Sequence, residues 1–156
     1  MNPVFLGLGA NVGDRKDNIL KAIELLKRHV SITKVAPIYE TKAFGYTEQA
    51  NFYNTALVGT TALDPEKLLH FVKTVEKNSG RIKRFRWGPR EIDIDILFYG
   101  DLILKTPTLE IPHPGIPERF FVLKPLSDIA PDLMHPVLKQ TVTKLLSRLP
   151  VGLAEN

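Results

Sequence analysis

The stretch Glu91–Gly100, EIDIDILFYG, alternates without a break: Ile92, Ile94, Ile96 and Phe98 take the even positions, and Asp93 and Asp95 lie between them. A period of two marks a β-strand with one face against a core, so the four apolar residues are expected on one side and the aspartates on the other. At a rise of about 3.3 Å per residue the two aspartate Cα atoms stand roughly 6.5 Å apart. Carboxylates held that close repel one another, and a divalent cation that both ligate removes the repulsion and neutralises substrate phosphates as well. A solvated acidic strand face is the plain alternative, and the surrounding sequence weighs against it.

Immediately upstream, RIKRFRWGPR places Arg81, Lys83, Arg84, Arg86 and Arg90 around Trp87, Gly88 and Pro89 with no periodicity, so it reads as a basic loop. Cations to hold phosphate oxygens, beside an acidic pair that orients a metal, are what phosphoryl transfer requires. A nucleic-acid contact is the other reading, with Trp87 as a stacking platform.

Further upstream, Asp64, Pro65 and Glu66 form an N-cap, first helical position and first-turn acid, and Gly80 supplies the stop. Leu68, Leu69, Phe71, Val72 and Val75 make the stripe of this helix, and Glu76 falls on that inner stripe, either solvated at its edge or turned into a site. Strands are expected over residues 3–9, 32–40 and 52–61, the last two separated by the glycine-containing loop TKAFGYTEQA. Asn11, Gly13 and Asp14 supply turn and helix-cap chemistry, and Ile19, Leu20, Ile23, Leu26 and Val30 predict a helix from Asp14 to His29. Downstream, Pro107, Pro112, Pro114 and Pro117 keep residues 106–118 out of long regular elements, before the apolar run FFVLKPL and a helix around Thr141–Arg148. His113, between two prolines, and Arg119 are candidate anion ligands.

The order strand, helix, strand, strand, helix, strand is the split βαβ pattern. It predicts an α/β (α+β) domain of ferredoxin-like type, a mainly antiparallel central sheet flanked by helices. At 156 residues a single domain covering 1–156 is expected. With no cysteine, metal sites must be built from oxygen and imidazole, which favours hard cations such as magnesium. No apolar run reaches the length of a membrane span, and MNPVFLGLGA lacks the basic region of a signal peptide, so a soluble cytoplasmic protein is expected. The net charge of +4 suits an anionic substrate or a nucleic acid equally.

Two other classes compete with a phosphoryl-transfer enzyme. Gly7, Gly9 and Gly13 imitate a dinucleotide-binding loop, with Glu40 at a rough distance for a ribose contact, but their spacing is GxGxxxG and no long series of βαβ units follows. A Walker A loop is absent. An RNA-recognition module would explain the sheet and the charge, but not two aspartates beside a basic loop, and no RNP-like aromatic motif is present.

The stretches FLGLGANVGDR, YETKAFGYTEQANFYNTA, GRIKRFRWGPREIDIDIL and IPHPGIPERFFVLKPLSDIAP run in that order from Phe5 to Pro131. They resemble the 6-hydroxymethyl-7,8-dihydropterin pyrophosphokinases, and RWGPREIDIDIL is a highly specific signature of that family. The resemblance implies a ferredoxin-like fold and transfer of the terminal pyrophosphoryl group of ATP to the pterin hydroxymethyl oxygen, releasing AMP for folate synthesis. It implies that Asp93 and Asp95 ligate two magnesium ions, that Arg81, Lys83 and Arg90 neutralise phosphate charge, and that Lys73, Glu76, Ile96, His113 and Arg119 line the ATP site. Phe52 and Phe121 match the aromatic pair that sandwiches the pterin, Asn54 the side chain that reads its edge, Thr41, Lys42 and Phe44 the loop beside it, and Trp87 a lid aromatic. Lys42, Lys73, Thr108 and Glu110 depart from the commoner family residues. ATP and the dihydropterin are then the partners of a monomer, with no nucleic acid and no membrane.

Overall fold

The computed structural model describes residues 1–41, 51–79 and 91–150. In chain order these form β1 (Asn2–Ala10), α1 (Arg15–Leu26), β2 (Ser31–Val35), β3 (Tyr39–Thr41), β4 (Phe52–Thr61), α2 (Pro65–Asn78), β5 (Asp93–Tyr99), β6 (Leu104–Lys105), β7 (Glu110–Ile111), α3 (Phe120–Ile129) and α4 (Val142–Ser147), with a 3-10 turn at Ile116–Glu118 before α3. The main sheet runs β2-β4-β1-β5, with β3 also pairing β4, and all its pairings are antiparallel. Taken without the short β3, the strands lie second, third, first, fourth across the sheet, which is the ferredoxin-like order that the sequence pattern predicts.

Local chemistry sets the ends of the elements. Asp14 Oδ1 accepts the N–H of Asp17 at 3.0 Å to open α1, and Asp64 Oδ1 accepts that of Lys67 at 2.9 Å to open α2, both as predicted. The first helix stops at Leu26, short of His29, because residues 27–29 close tighter turns onto Glu24, Leu25 and Leu26 before the chain enters β2. The strand expected over 32–40 is broken into β2 and β3, with Pro37 in the gap: its ring nitrogen has no hydrogen to give to a ladder. The apolar run after Arg119 is a helix, despite Pro125 inside it. An interior proline costs about 3 kcal/mol, whereas burying Val122, Leu123 and Leu126 contributes roughly 1.5–3 kcal/mol each. Packing decides in favour of the helix.

The sheet is buried on both faces. On one, α1 and α2 cover Val4, Leu6, Leu8, Leu57, Ile92, Ile94 and Ile96; on the other, α3 and α4 cover Phe5, Ala56, Leu97 and Phe98. Phe98 thus departs from the face expected for it. The ladder with β1 slips between Phe5, opposite Phe98, and Leu6, opposite Ile96, leaving Leu97 as an extra residue. This bulge resets the alternation, so Leu97 and Phe98 both enter the second core and Tyr99 returns to the first.

Candidate active site

Strand register assembles the site. In one row across three strands Asn54 of β4 faces Gly9 of β1, which faces Asp93 of β5; in the next, Ala56 faces Gly7, which faces Asp95. Directly opposed residues share a face, so an amide and two carboxylates flank a central strand that carries no side chain at either row. At Gly9 the absence of a side chain is required. A Cβ on Gly9 would stand 2.7 Å from Asn54 Oδ1 and 3.5 Å from the Phe52 ring. Gly7 and Gly9 are therefore paired strand residues that open a floor, which removes the dinucleotide-loop reading; only Gly13, at φ +71, sits in a turn.

Asp93 and Asp95 lie on the second face of β5, clear of Ile92, Ile94 and Ile96, as the alternation predicts. Desolvation, then the charge of Asp93, raises the pKa of Asp95, while Lys73 and Arg119 pull it back. The side chain of Asp95 still exposes 34% of its surface, so it stands partly open to solvent rather than in the core. Glu76 is turned inward, 2% exposed; its Oε2 accepts the N–H of Ile94 at 2.7 Å, and Lys73 Nζ lies 3.5 Å from its Oε1.

His113 follows the cis Ile111–Pro112 peptide and is tied to β5 through its N–H, which donates to Leu97 O at 3.0 Å. Its Nδ1 accepts the Gly115 N–H at 3.0 Å, which leaves the hydrogen of the neutral ring on Nε2, 3.8 Å from Asp95 Oδ1. Burial, and then the charge of Arg119, lowers the pKa of His113. The ring is thus a neutral donor aimed at the carboxylate side of the floor. A Cβ on Gly115 would stand 2.6 Å from Arg119 Nε, so that glycine gives the guanidinium its room. The guanidinium carbon lies 5.7 Å from the Phe121 ring centre.

At the other side of the floor, Asn54 is buried, 6% exposed, and Phe52, half-buried, is the cross-strand partner of Thr41. Phe121 lies in the first turn of α3, the helix that packs on β4. Ile96 is buried with α1 and α2, so its side chain faces away from the floor and any nucleotide contact would be made by its backbone. Thr108 and Glu110 lie at the β6–β7 hairpin. Lys42, Phe44, Arg81, Lys83, Trp87 and Arg90 lie outside the described residues. The sequence reading missed Gly7 and Gly9 as site residues; the GLG tripeptide inside an apolar strand was the available signal, since interior strand glycines mark close approach.

Among the described residues no cluster of three or more histidine, aspartate or glutamate side chains gathers to hold a metal. A pair of carboxylates is nonetheless the usual protein share of a magnesium site, because this small cation keeps waters and takes substrate phosphates as its other ligands. Burial, and after it the neighbouring charge of Asp93, disfavours the ionised form of Asp95, and a cation between the two carboxylates would offset both effects. Magnesium fits this donor set.

One ferredoxin-like sheet thus carries an amide-and-aromatic side and a carboxylate-and-cation side, an arrangement compatible with a transferase that acts on a phosphate donor. The profile of the 7,8-dihydro-6-hydroxymethylpterin-pyrophosphokinase family matches residues 5–131, and the chain belongs to this family. It is 49% identical over 140 residues to the 2-amino-4-hydroxy-6-hydroxymethyldihydropteridine pyrophosphokinase of Aquifex aeolicus, covering 90% of this chain and 88% of that protein. The Bacillus subtilis protein of the same name is 43% identical over 130 residues, covering 82% and 78% respectively. The folic acid synthesis protein FOL1 of Dictyostelium discoideum is 47% identical over 97% of this chain, which spans only 23% of that longer protein. Among solved structures, a Plasmodium falciparum HPPK-DHPS chain superposes with a TM-score of 0.77 at 19% identity, over 94% of this chain and 45% of that one, a likeness of fold. The face an RNA-recognition sheet would leave open is here packed by α3 and α4, which disfavours the nucleic-acid reading.

Proposed function

We infer that this chain transfers pyrophosphate from ATP to the hydroxymethyl group of 6-hydroxymethyl-7,8-dihydropterin, releasing AMP, the activity for which its family is named. The observation that carries the residue-level reading is the row Asn54–Gly9–Asp93, which supports a ring-reading amide and a phosphate-side carboxylate on one open floor. The pterin lies between Phe52 and Phe121, where stacking supplies affinity, and Asn54 reads its edge, where a buried amide rejects analogues lacking the complementary groups. Thr41, Lys42 and Phe44 are assigned to the pterin by the family resemblance, and Trp87 to the lid.

Asp93 and Asp95 would hold two magnesium ions. Bound there, the ions supply charge neutralisation and orientation of the phosphate oxygens. The substrate hydroxyl oxygen bonds to the β-phosphorus as the bond from that phosphorus to the α,β-bridging oxygen breaks. AMP leaves with the bridging oxygen, and the hydroxyl proton passes to solvent water. Arg81, Lys83 and Arg90 neutralise the growing charge on the leaving group. His113 Nε2–H and the Arg119 guanidinium donate to phosphate oxygens, and Lys73 adds a third cation on the same side. Glu76 acts through β5, whose backbone it holds. The reading carries a cytoplasmic monomer with it.

Incubation with ATP, magnesium and the hydroxymethyl-dihydropterin, followed by identification of the nucleotide product, tests the reading. AMP formed only with pterin present supports it. ADP, or no turnover by folded protein, overturns it.

A further inference from the structure

Among the described residues the short strand β3 has one strand partner, β4, and three residues of ladder hold a strand weakly. A second anchor is present. The Tyr39 hydroxyl donates a hydrogen bond to Asp128 Oδ2 of α3. Lys124 Nζ lies 3.8 Å from Asp128 Oδ1 and 6.0 Å from the centre of the Tyr39 ring.

The two ends of this link are placed with respect to the pterin side of the floor. Tyr39 is the direct cross-strand partner of Asn54, and Thr41 two residues on is the partner of Phe52. On α3, Phe121, Lys124 and Asp128 fall at i, i+3 and i+7, one stripe of a helix with 3.6 residues per turn. The stripe that presents Phe121 is therefore the stripe fastened to β3. A ring sandwiched between two aromatic planes needs them about 7 Å apart, twice the contact distance of roughly 3.5 Å, and a slip of about 1 Å in a positioned group costs heavily in binding or rate.

We propose that Tyr39 is a positioning residue for the pterin: through Asp128 it fixes the separation of Phe52 on β4 from Phe121 on α3, and so the width of the slot. This rests on the assignment of Phe52, Asn54 and Phe121 to the pterin in the proposed function. The bond to an ionised acceptor is of the stronger kind. Bonding to Asp128, above all, pushes the Tyr39 hydroxyl up to about 12, so it keeps its proton, and remains the donor, throughout the neutral range.

The test is a comparison of Tyr39→Phe and Asp128→Ala with the parent chain, by titration with 6-hydroxymethylpterin and, separately, with a non-hydrolysable ATP analogue plus magnesium, alongside urea unfolding. Losing one charge-assisted hydrogen bond is expected to weaken pterin binding roughly tenfold in either variant. The double variant should be no weaker than the singles, and nucleotide affinity should not change. Unchanged pterin affinity in a folded variant overturns the proposal, and so does an equal loss for pterin and nucleotide, which is what general loosening would give. Asp128 is exposed, so its substitution tests the link even where Tyr39→Phe folds poorly. Asn54→Ala and Phe121→Ala separate the two levels of inference. If these bind pterin normally, the slot itself is misassigned and the proposal falls with it; if they lose pterin while Tyr39→Phe does not, the clasp alone is wrong.

Discussion

Glu76 Oε2 of α2 accepts the backbone N–H of Ile94 at 2.7 Å, so a buried helix carboxylate grips the peptide that follows Asp93. Among the described residues the main sheet gives β5 only β1 as a neighbour, and this bond fixes the strand from outside the ladder. Glu76→Ala leaves a buried N–H without that acceptor and is expected to cost about 2–3 kcal/mol, whereas Glu76→Gln keeps an accepting oxygen and should cost about 1 kcal/mol. Urea unfolding measures both. An alanine variant as stable as the parent would show that the contact contributes nothing to the strand.

Asp93→Asn and Asp95→Asn are predicted to lower turnover by roughly 10²–10⁴-fold, because each removes a charge from the ligand pair without changing its shape. Pterin affinity, set on the other side of the floor, should survive. Steady-state rates and a pterin titration on the same samples decide it, and near-normal rates in both variants would remove the metal assignment.

Gly9→Ala places a methyl group 2.7 Å from Asn54 Oδ1. The backbone of β1 is locked on both sides by β4 and β5, so the amide must give way. Pterin binding should fall by about tenfold or more, while ATP-analogue binding changes little. Equal losses for both ligands would point to a disturbed sheet instead.

His135 predicts how stability responds to acid. It is buried against Phe98, ring centres 5.7 Å apart, and its Nδ1 accepts the N–H groups of Val137 and Leu138 at 3.2 and 3.1 Å. A proton on Nδ1 would end both bonds, and burial lowers the pKa of His135 from its usual 6.5. The folded state therefore prefers the neutral ring. The stability this gives is complete above about 6.5, the unfolded value, and is lost as pH falls through the lower folded value. Unfolding midpoints from pH 8 to 5 should decline more steeply for the parent than for His135→Asn, whose amide oxygen accepts without titrating. Parallel profiles would show that another group governs the acid limb.

The period of two in EIDIDILFYG and the stripes of α1 and α2 made the sheet, its two principal helices and the shared face of Asp93 and Asp95 legible, because these follow from local geometry that repeats along the chain. Caps at Asp14 and Asp64 were legible for the same reason. The helix built from FFVLKPL was not, since Pro125 argues against it locally and only burial against the sheet reverses the balance.

The sequence by itself determined the element order, the carboxylate pair and, through its signature stretches, the family. What the tertiary structure decided is what strand register and packing bring together: Asn54, Gly9 and Asp93 in one row, the bulge that moves Phe98 to the second core, Glu76 on the N–H of Ile94, and Tyr39 on Asp128. Those partners are separated by 18 to 89 residues in the side-chain contacts alone. No periodicity in a chain specifies which distant residue will lie opposite, because that choice is made by the packing of whole faces.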